Sequence, residues 1–248
     1  MADKVTMNIL ITGATDGIGL ALAKHYQAQH ARLILVGRKP LNTLDPTFFN
    51  ADNYCQSDLS QPDSTARIMD WLNAKNIQHI DLALHNAGVG WYGNPVLQPP
   101  ASIDELLQVN LSTPLALTHT LLPRLQNGRI VFISSVAVNA PAAKYAVYAA
   151  TKSALDGFAR SLRIESNGKP FVQVIHIGAA RTTMHAKLGI AEQLKADRFP
   201  SAEWTAEQIA RAVQTKKNEV TVGAANKILR WAGSHFPFMI DSLAGRRA

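Results

Sequence analysis

The sequence predicts an α/β protein, a doubly wound parallel sheet of about seven strands with helices on both faces. Two observations predict it. Short apolar runs alternate with longer amphipathic stretches along the chain, the pattern of strands joined by crossover helices. The first run, Ile9-Leu10-Ile11, turns into a helix-like stretch through Thr12, Gly13, Gly17 and Gly19. Such a turn leaves the N–H groups of the first helical turn facing an anion, and glycine lets backbone approach it closely. The spacing Gly-x-x-x-Gly-x-Gly departs from the usual dinucleotide fingerprint, and an ordinary glycine-rich turn would look similar. Its place in the first βα unit, where doubly wound folds bind a dinucleotide, favours the phosphate reading.

The elements follow in order. After the loop, Leu20, Ala21, Leu22 and Ala23 continue without a breaker to about Gln29, a helix. Arg32–Gly37 is a second buried strand, followed by Arg38 and Lys39. An acid near the end of this strand would bond the ribose hydroxyls of an adenosine, whereas an arginine accommodates a 2′-phosphate. The acid is missing and two cations are present, which points to NADP(H) over NAD(H) and away from a merely solvated basic turn. Asp16 inside the glycine loop, an acid where a base would help, weighs the other way. Asn53–Leu59 is a short third strand reaching Asp58. Ser60–Asn73 reads as a helix with Ser60 as N-cap and Ile68, Met69 and Leu72 on one face. His79–Leu84 is the fourth strand, ending in His85-Asn86-Ala87-Gly88. Val89–Pro100, with its glycines and prolines, is a loop whose Trp91 and Tyr92 either wall a pocket or pack down.

Ser102–Leu122 reads as a long helix with a Ser102/Glu105 capping box, a polar Asn110 among leucines, and a bend at Pro114. Arg129–Ser135 is the fifth strand. Tyr145–Ser166 is a second long helix, with Ala146, Ala149, Ala150 and Ala154 allowing close packing. Phe171–Ile177 is the sixth strand, Gly178–Pro200 is irregular or weakly helical, Thr205–Lys216 is a helix capped by Thr205, and Glu219–Val222 is the last strand. Parallel strands with right-handed crossovers place the ligand across the carboxyl ends of the sheet.

Composition narrows the class. The 248 residues, 47% hydrophobic and 17% charged, suit one large α/β domain, and no stretch resembles a linker. Cys55 is the one cysteine and cannot form an internal disulfide, and no metal-ligand spacing surrounds it, so no metal is expected. Met1-Ala2-Asp3-Lys4 runs into the first strand without a signal peptide, and no apolar run has membrane-spanning length, which makes a reducing, cytoplasmic setting the expectation. The net charge is +7 with a pI near 9.6. Its spread, without aromatics interleaved, reads as attraction for an anionic cofactor or substrate rather than nucleic acid.

The chemistry lies in the second half. Tyr148 and Lys152 share one helical face, one turn apart. An ammonium near a phenol favours the phenolate and draws the Tyr148 pKa down from about 10, giving a general acid or base. Ser135 ends the preceding strand, from which a loop can bring its hydroxyl beside Tyr148. Taken alone, Tyr and Lys at this spacing are common on helices. Ser135, Asn110 and the glycine loop at compatible places along the same sheet add the weight.

With these residues in order, the chain resembles the short-chain dehydrogenase/reductase family in its compact single-domain branch, from about Asn8 to Val222. The Rossmann-type fold is implied with it. Thr12-Gly13-x-x-x-Gly17-x-Gly19 matches the cofactor loop, with Thr15, Asp16 and Ile18 inside it. Asp58-Leu59 looks like the adenine-contacting pair. Asn86-Ala87-Gly88 matches the strand-four motif, with His85 where Asn is usual. Asn110, Ser135, Tyr148 and Lys152 match the catalytic set. The resemblance implies hydride exchange between NADP(H) and a carbonyl/secondary alcohol pair. Tyr148 would be the general acid/base, Ser135 would orient the substrate oxygen, Lys152 would bond the nicotinamide ribose, and Asn110 would hold a water in a relay through Lys152. Gly178 and Thr182 match the nicotinamide loop, while Ile177 stands where the family usually has proline.

The resemblance also places substrate recognition in residues 184–204. There Leu188, Ile190, Leu194, Phe199 and Trp204 alternate with Lys187, Lys195 and Arg198, an apolar lid suited to a hydrophobic carbonyl compound. Residues 224–248 extend beyond the usual core. A segment packed over the pocket or against another subunit is preferred there to an amphipathic segment on an anionic membrane, because Gly233 and Pro237 would break a long helix. The family implies a homodimer or homotetramer through Ser102–Leu122 and Tyr145–Ser166. The competing functions are an NAD(H)-preferring dehydrogenase, a catalytically silent NADP-binding regulator, and a scaffold subunit.

Overall fold

The structure is a computed structural model that describes residues 6–189 and 196–245. Its elements are β1 (Asn8–Thr12), α1 (Gly17–Gln27), β2 (Arg32–Gly37), β3 (Tyr54–Gln56), α2 (Ser64–Ala74), β4 (Leu82–His85), α3 (Pro100–Leu107), α4 (Thr113–Leu121), β5 (Arg129–Ser135), α5 (Ala146–Glu165), β6 (Phe171–Ile177), α6 (Thr183–Lys187), α7 (Ala202–Val213), β7 (Glu219–Thr221), α8 (Ala224–His235) and α9 (Pro237–Gly245). The seven strands form one sheet in the order β3-β2-β1-β4-β5-β6-β7, and every pairing is parallel. This is the doubly wound Rossmann-type arrangement. The order reverses between β1 and β4, and a crevice opens there at the carboxyl ends.

Alternation within each strand feeds two cores. Ile9, Ile11, Leu35 and Ile133 pack with Leu22 and Ala23 of α1 and Ile209 and Val213 of α7. Leu10, Ile34, Phe132 and Val174 face the other way, onto Ile68 and Leu72 of α2, Leu117 of α4 and Leu155 of α5. Each buried aliphatic chain of this size contributes about 1.5–3 kcal/mol, so the sheet is held from both sides.

Several boundaries differ from the sequence-based expectation. The second helix starts at Ser64, not Ser60. Ser60 lies in a turn closed by Asp58, whose Oδ1 accepts from the Ser60 N–H at 3.0 Å and its hydroxyl at 2.9 Å. The expected Ser102 capping box does not form. The helix already begins at Pro100, whose fixed φ suits a first helical position, and no side chain caps it. Thr205 is not the cap of α7. Ser201 is, accepting from the Trp204 N–H, while the Thr205 hydroxyl donates to the Ser201 carbonyl at 2.8 Å.

The long helix around Asn110 is interrupted by a π segment, Gln108–Ser112, where the Thr113 N–H reaches back to the Gln108 carbonyl. Pro114 has no N–H to offer the Asn110 carbonyl four residues earlier, so the wider turn stands where the α ladder would fail.

In the extension, Pro237 separates α8 from α9, but Gly233 breaks nothing. It lies inside α8 against the Asn139 backbone, where a Cβ would fall 2.6 Å from the Asn139 carbonyl carbon. The tail packs on the turn after β5 and on β7 rather than over the crevice. Ile228, Trp231, Phe238 and Met239 stay exposed. No helix among the described residues is long and apolar enough to cross a membrane. Met1–Lys4, Ile190, Leu194, Lys195, Arg246 and Arg247 lie outside the described residues.

Candidate active site

A cleft of about 390 Å³ opens at the β1/β4 switch point. Its floor is the loop between β1 and α1. Gly13 and Gly17 hold φ of +68° and +49°, in the left-handed region open to glycine. A Cβ on Gly19 would fall 2.6 Å from Asn86 Nδ2 and 2.8 Å from the Gly13 carbonyl carbon. Thr15, Asp16 and Ile18 complete the loop's lining. The Asp16 carboxylate accepts from the Gly17 N–H at 2.8 Å and the Thr183 hydroxyl at 2.6 Å. The acid that looked misplaced in sequence caps α1 and ties the loop to α6.

Buried Thr12 fixes the neighbouring strand. Its hydroxyl oxygen accepts from the Asn86 and Ala87 N–H groups at 3.1 Å each, and Asn86 Nδ2 donates to the Thr12 carbonyl at 3.0 Å. Asn86, Ala87 and Gly88 therefore line the cleft beside the glycine loop. Arg38 and Lys39 line it beyond β2, and Asp58 and Leu59 beyond β3. Lys39 Nζ donates to the Thr15 carbonyl at 3.5 Å. Arg38 Nη1 lies 3.7 Å from Glu105 Oε1, an exposed pair across the cleft mouth.

The four residues expected to react converge past the ends of β4 and β5. Ser135 ends β5, and its hydroxyl oxygen accepts from the Ala137 N–H at 3.2 Å. The Ser135 hydroxyl lies near enough to the Tyr148 phenol to favour its ionised form. Lys152 is buried one turn on from Tyr148; its Nζ donates to the Ile133 carbonyl at 3.0 Å and lies 5.8 Å from the Tyr148 ring centroid. Asn110 is fully buried. Its Oδ1 accepts from the Val89 N–H at 2.9 Å, and its Nδ2 donates to the Val89 carbonyl at 2.9 Å and to the Thr151 hydroxyl at 3.2 Å. The amide holds the loop after β4 rather than lining the cleft. Gly88 sits between it and Lys152: a Cβ there would lie 3.4 Å from Asn110 Oδ1 and 3.6 Å from Lys152 Nζ.

The protonation states correct one expectation. Burial raises the Tyr148 pKa above its ordinary value, and the Ser135 hydrogen bond opposes that only in part. The expected depression by Lys152 is not found, because the ammonium is turned to the Ile133 carbonyl. Burial lowers Lys152 from 10.5 to about 8, with the Asp156 carboxylate pulling upward. At pH 7 Tyr148 is therefore a phenol, and Lys152 stays mainly an ammonium.

Thr182 lines the cleft and caps α6, its hydroxyl oxygen accepting from the Met184 N–H at 3.4 Å. Gly178 does not line it. Its open face is taken by the Asn226 amide of α8, 2.6 Å from where a Cβ would stand. Met184 and Leu188 line the cleft. Tyr92 packs on Tyr145 and Tyr145 on Tyr148, a row of rings with centroids 5.2 and 5.9 Å apart. Sequence reasoning missed Val89 and Thr151 as the partners of Asn110. The only sequence signal for them was that a buried amide must find partners. His85 turns into the core, stacked on Phe132 with its Nε2 3.0 Å from the Thr118 hydroxyl, and burial lowers its pKa to about 4.

Comparisons with known proteins agree with this fold. The short chain dehydrogenase family profile matches residues 7–193. A Danio rerio protein, dehydrogenase/reductase SDR family member 7B, is 29% identical over 89% of this chain and 77% of its own. The Escherichia coli uncharacterized oxidoreductase YciK is 33% identical over 72% of this chain and 75% of its own. A solved short-chain dehydrogenase from Sphingobium yanoikuyae in complex with NADPH superposes with a TM-score of 0.77 at 23% identity, covering 97% of this chain and 93% of that one. The chain belongs to the short-chain dehydrogenase/reductase family.

Proposed function

We propose that the protein is an NADP(H)-dependent oxidoreductase that interconverts a carbonyl and a secondary alcohol, with Tyr148 as general acid/base. The observation that carries this reading is Tyr148 in the cleft wall, with the Ser135 hydroxyl acting on it from the end of β5 and the buried Lys152 one turn away. The cleft fits a dinucleotide. A Cβ on Gly13, Gly17 or Gly19 would press on Ala87, Thr182 or the Gly13 backbone, so glycine lets the loop close there, and α1 presents its N-terminus to the cleft. Asp58 and Leu59 would flank the adenine; Asn86, Ala87 and Gly88 would flank its ribose; backbone around Ile177–Thr182 would hold the nicotinamide amide, with Gly178 making room for the Asn226 amide behind that turn. When bound, the cofactor supplies or accepts the hydride.

The protein's own groups handle the proton. A substrate oxygen placed between the Ser135 and Tyr148 hydroxyls receives a hydrogen bond from each. The Tyr148 phenol, protonated at neutral pH, is the form that gives a proton to a carbonyl oxygen, so the reductive direction is favoured there. Lys152 would bond the nicotinamide ribose through its ammonium. Asn110 acts by holding Val89 and the wider helical turn in place. Met184 and Leu188 make the substrate side apolar, which suits a hydrophobic carbonyl compound. The stretches Ser102–Leu122 and Tyr145–Ser166 would join a homodimer or homotetramer.

The preference for NADP(H) rests on Arg38 and Lys39, with no acid at the end of β2. Support comes from the Sphingobium neighbour, which holds NADPH. One observation favours an NAD(H)-preferring enzyme instead: Arg38 already has a carboxylate partner in Glu105. Fluorescence titration with NADPH and NADH, followed by a panel of carbonyl compounds, tests the proposal. The expected result is tighter NADPH binding with cofactor oxidation by at least one carbonyl, and Tyr148→Phe that still binds cofactor but does not turn over. Retained turnover in Tyr148→Phe would overturn the mechanism.

A further inference from the structure

Among the described residues, three carboxylates line the cleft: those of Asp16, Asp58 and Glu105. Two of them meet neutral donors. Asp16 accepts from the Gly17 N–H and the Thr183 hydroxyl, and Asp58 accepts from the Ser60 N–H and hydroxyl. Glu105 meets a cation instead, and it is the cation on which the cofactor preference rests. Its Oε1 lies 3.7 Å from Arg38 Nη1. Lys39, the neighbouring cation, is turned to the Thr15 carbonyl, 3.5 Å from its Nζ.

Arg38 and Glu105 come from different walls of the switch point. Arg38 follows β2, where doubly wound folds hold the adenosine ribose. Glu105 stands on α3, one turn before Val109, and both residues line the cleft. The two side chains are 55% and 42% exposed, so the strength of the pair itself is small. What counts is where the negative charge stands. A 2′-phosphate that takes up Arg38 either draws the guanidinium away from Glu105 or binds beside a like charge, and each costs affinity. Arg38 has room to move, because it also lines a second cavity of about 340 Å³ with Gln61 and Arg67. A ribose with a free 2′-hydroxyl meets the opposite situation. That hydroxyl can donate to the carboxylate, as it would to an acid at the end of β2.

We propose that Glu105 is a specificity-determining residue, whose carboxylate holds down affinity for a 2′-phosphate and supports binding of a free 2′-hydroxyl. It supplies from α3 the acid that the end of β2 lacks. The inference rests on the reading of Arg38 as the 2′-phosphate contact. Arg38 favours NADPH and Glu105 works against it from the other wall, so the gap between the two cofactors is narrower than Arg38 alone would make it.

Glu105→Gln tests this by removing the charge and keeping the length of the side chain. Wild type and variant are titrated by fluorescence with NADPH and with NADH, beside thermal melting to show that the fold is kept. The Kd for NADPH is expected to fall about three- to fivefold, while the Kd for NADH stays level or rises. The ratio of NADPH to NADH affinity therefore rises at least about threefold. An unchanged or lower ratio in the folded variant overturns the inference. Where NADH binds too weakly to titrate, an unchanged Kd for NADPH overturns it in the same way. Arg38→Ala tests the underlying reading separately. If that variant binds NADPH as wild type does, Arg38 is not the 2′-phosphate contact, and the Glu105→Gln ratio still decides whether Glu105 discriminates. Both titrations read binding rather than turnover, so their outcome is independent of the proposed reaction.

Discussion

Acid should reach this fold through His85. The ring is buried, stacked 5.0 Å from Phe132, and its pKa is lowered from 6.5 to about 4 by burial. Above pH 6.5 the ring is neutral in both the folded and unfolded chain, and its titration contributes nothing. Below 6.5 the unfolded chain takes up a proton that the folded chain refuses until about pH 4, so stability is lost as pH falls through that window. The gap at about 1.4 kcal/mol per pH unit amounts to about 3 kcal/mol in full, of which about 2 kcal/mol falls between pH 7 and pH 5. Guanidinium unfolding followed by tryptophan fluorescence at pH 7, 6 and 5 measures it, wild type against His85→Gln. Glutamine keeps a polar group near the Thr118 hydroxyl and does not titrate. Comparing pH slopes cancels both the cost of the substitution and the carboxylates common to the two proteins. The variant should lose about 2 kcal/mol less over this interval. Parallel slopes would refute the reasoning, since they would mean that the folded protein protonates His85 as readily as the unfolded chain does.

Two further outcomes follow from the cleft. Gly19→Ala should cut NADPH affinity at least tenfold and destabilise the fold by about 1–3 kcal/mol, because its Cβ meets the Gly13 backbone and Asn86 rather than a yielding side chain; cofactor titration beside thermal melting checks it, and undiminished binding would show that the loop can open. Arg38→Ala should weaken NADPH by about tenfold or more and leave NADH nearly unchanged, as expected for loss of a charge-assisted phosphate contact; equal losses in paired titrations would count against the NADP(H) assignment.

The architecture was legible because it is repetitive. Apolar runs such as Ile9–Ile11 and Ile130–Ile133 alternate with amphipathic stretches, and the structure pairs the seven strands in parallel across one sheet. Helix starts were less legible because several neighbouring residues satisfy the same capping rule. Ser60, Ser102 and Thr205 each looked suitable, and Asp58, Pro100 and Ser201 decided the local outcome. Within the site, proximity along the chain was readable: Tyr148 and Lys152 share a face, and Ser135 reaches Tyr148. Relations across the sheet were not. Asn110 finds Val89 at 21 positions' separation, and His176 finds Asp156 at 20. The direction of the Tyr148 shift was illegible for the same reason, since it depends on how deeply the phenol is buried and where the lysine turns.

The helix α8 has a consequence for handling the protein. Gly233 rests on the Asn139 backbone, four residues beyond Ser135, and Arg230 Nε donates to the Asn139 side chain at 2.9 Å. One turn earlier, Asn226 closes against Gly178 and donates to the Val222 carbonyl at 2.8 Å. A single helix thus braces the turns that leave β5 and β6, the two that flank the proposed nicotinamide end of the cleft. Cutting the chain after Val222 would therefore remove the support of both turns rather than a dispensable appendage. A fusion partner that pulls on this helix would be felt at Ser135 and Gly178 before it was felt anywhere in the core.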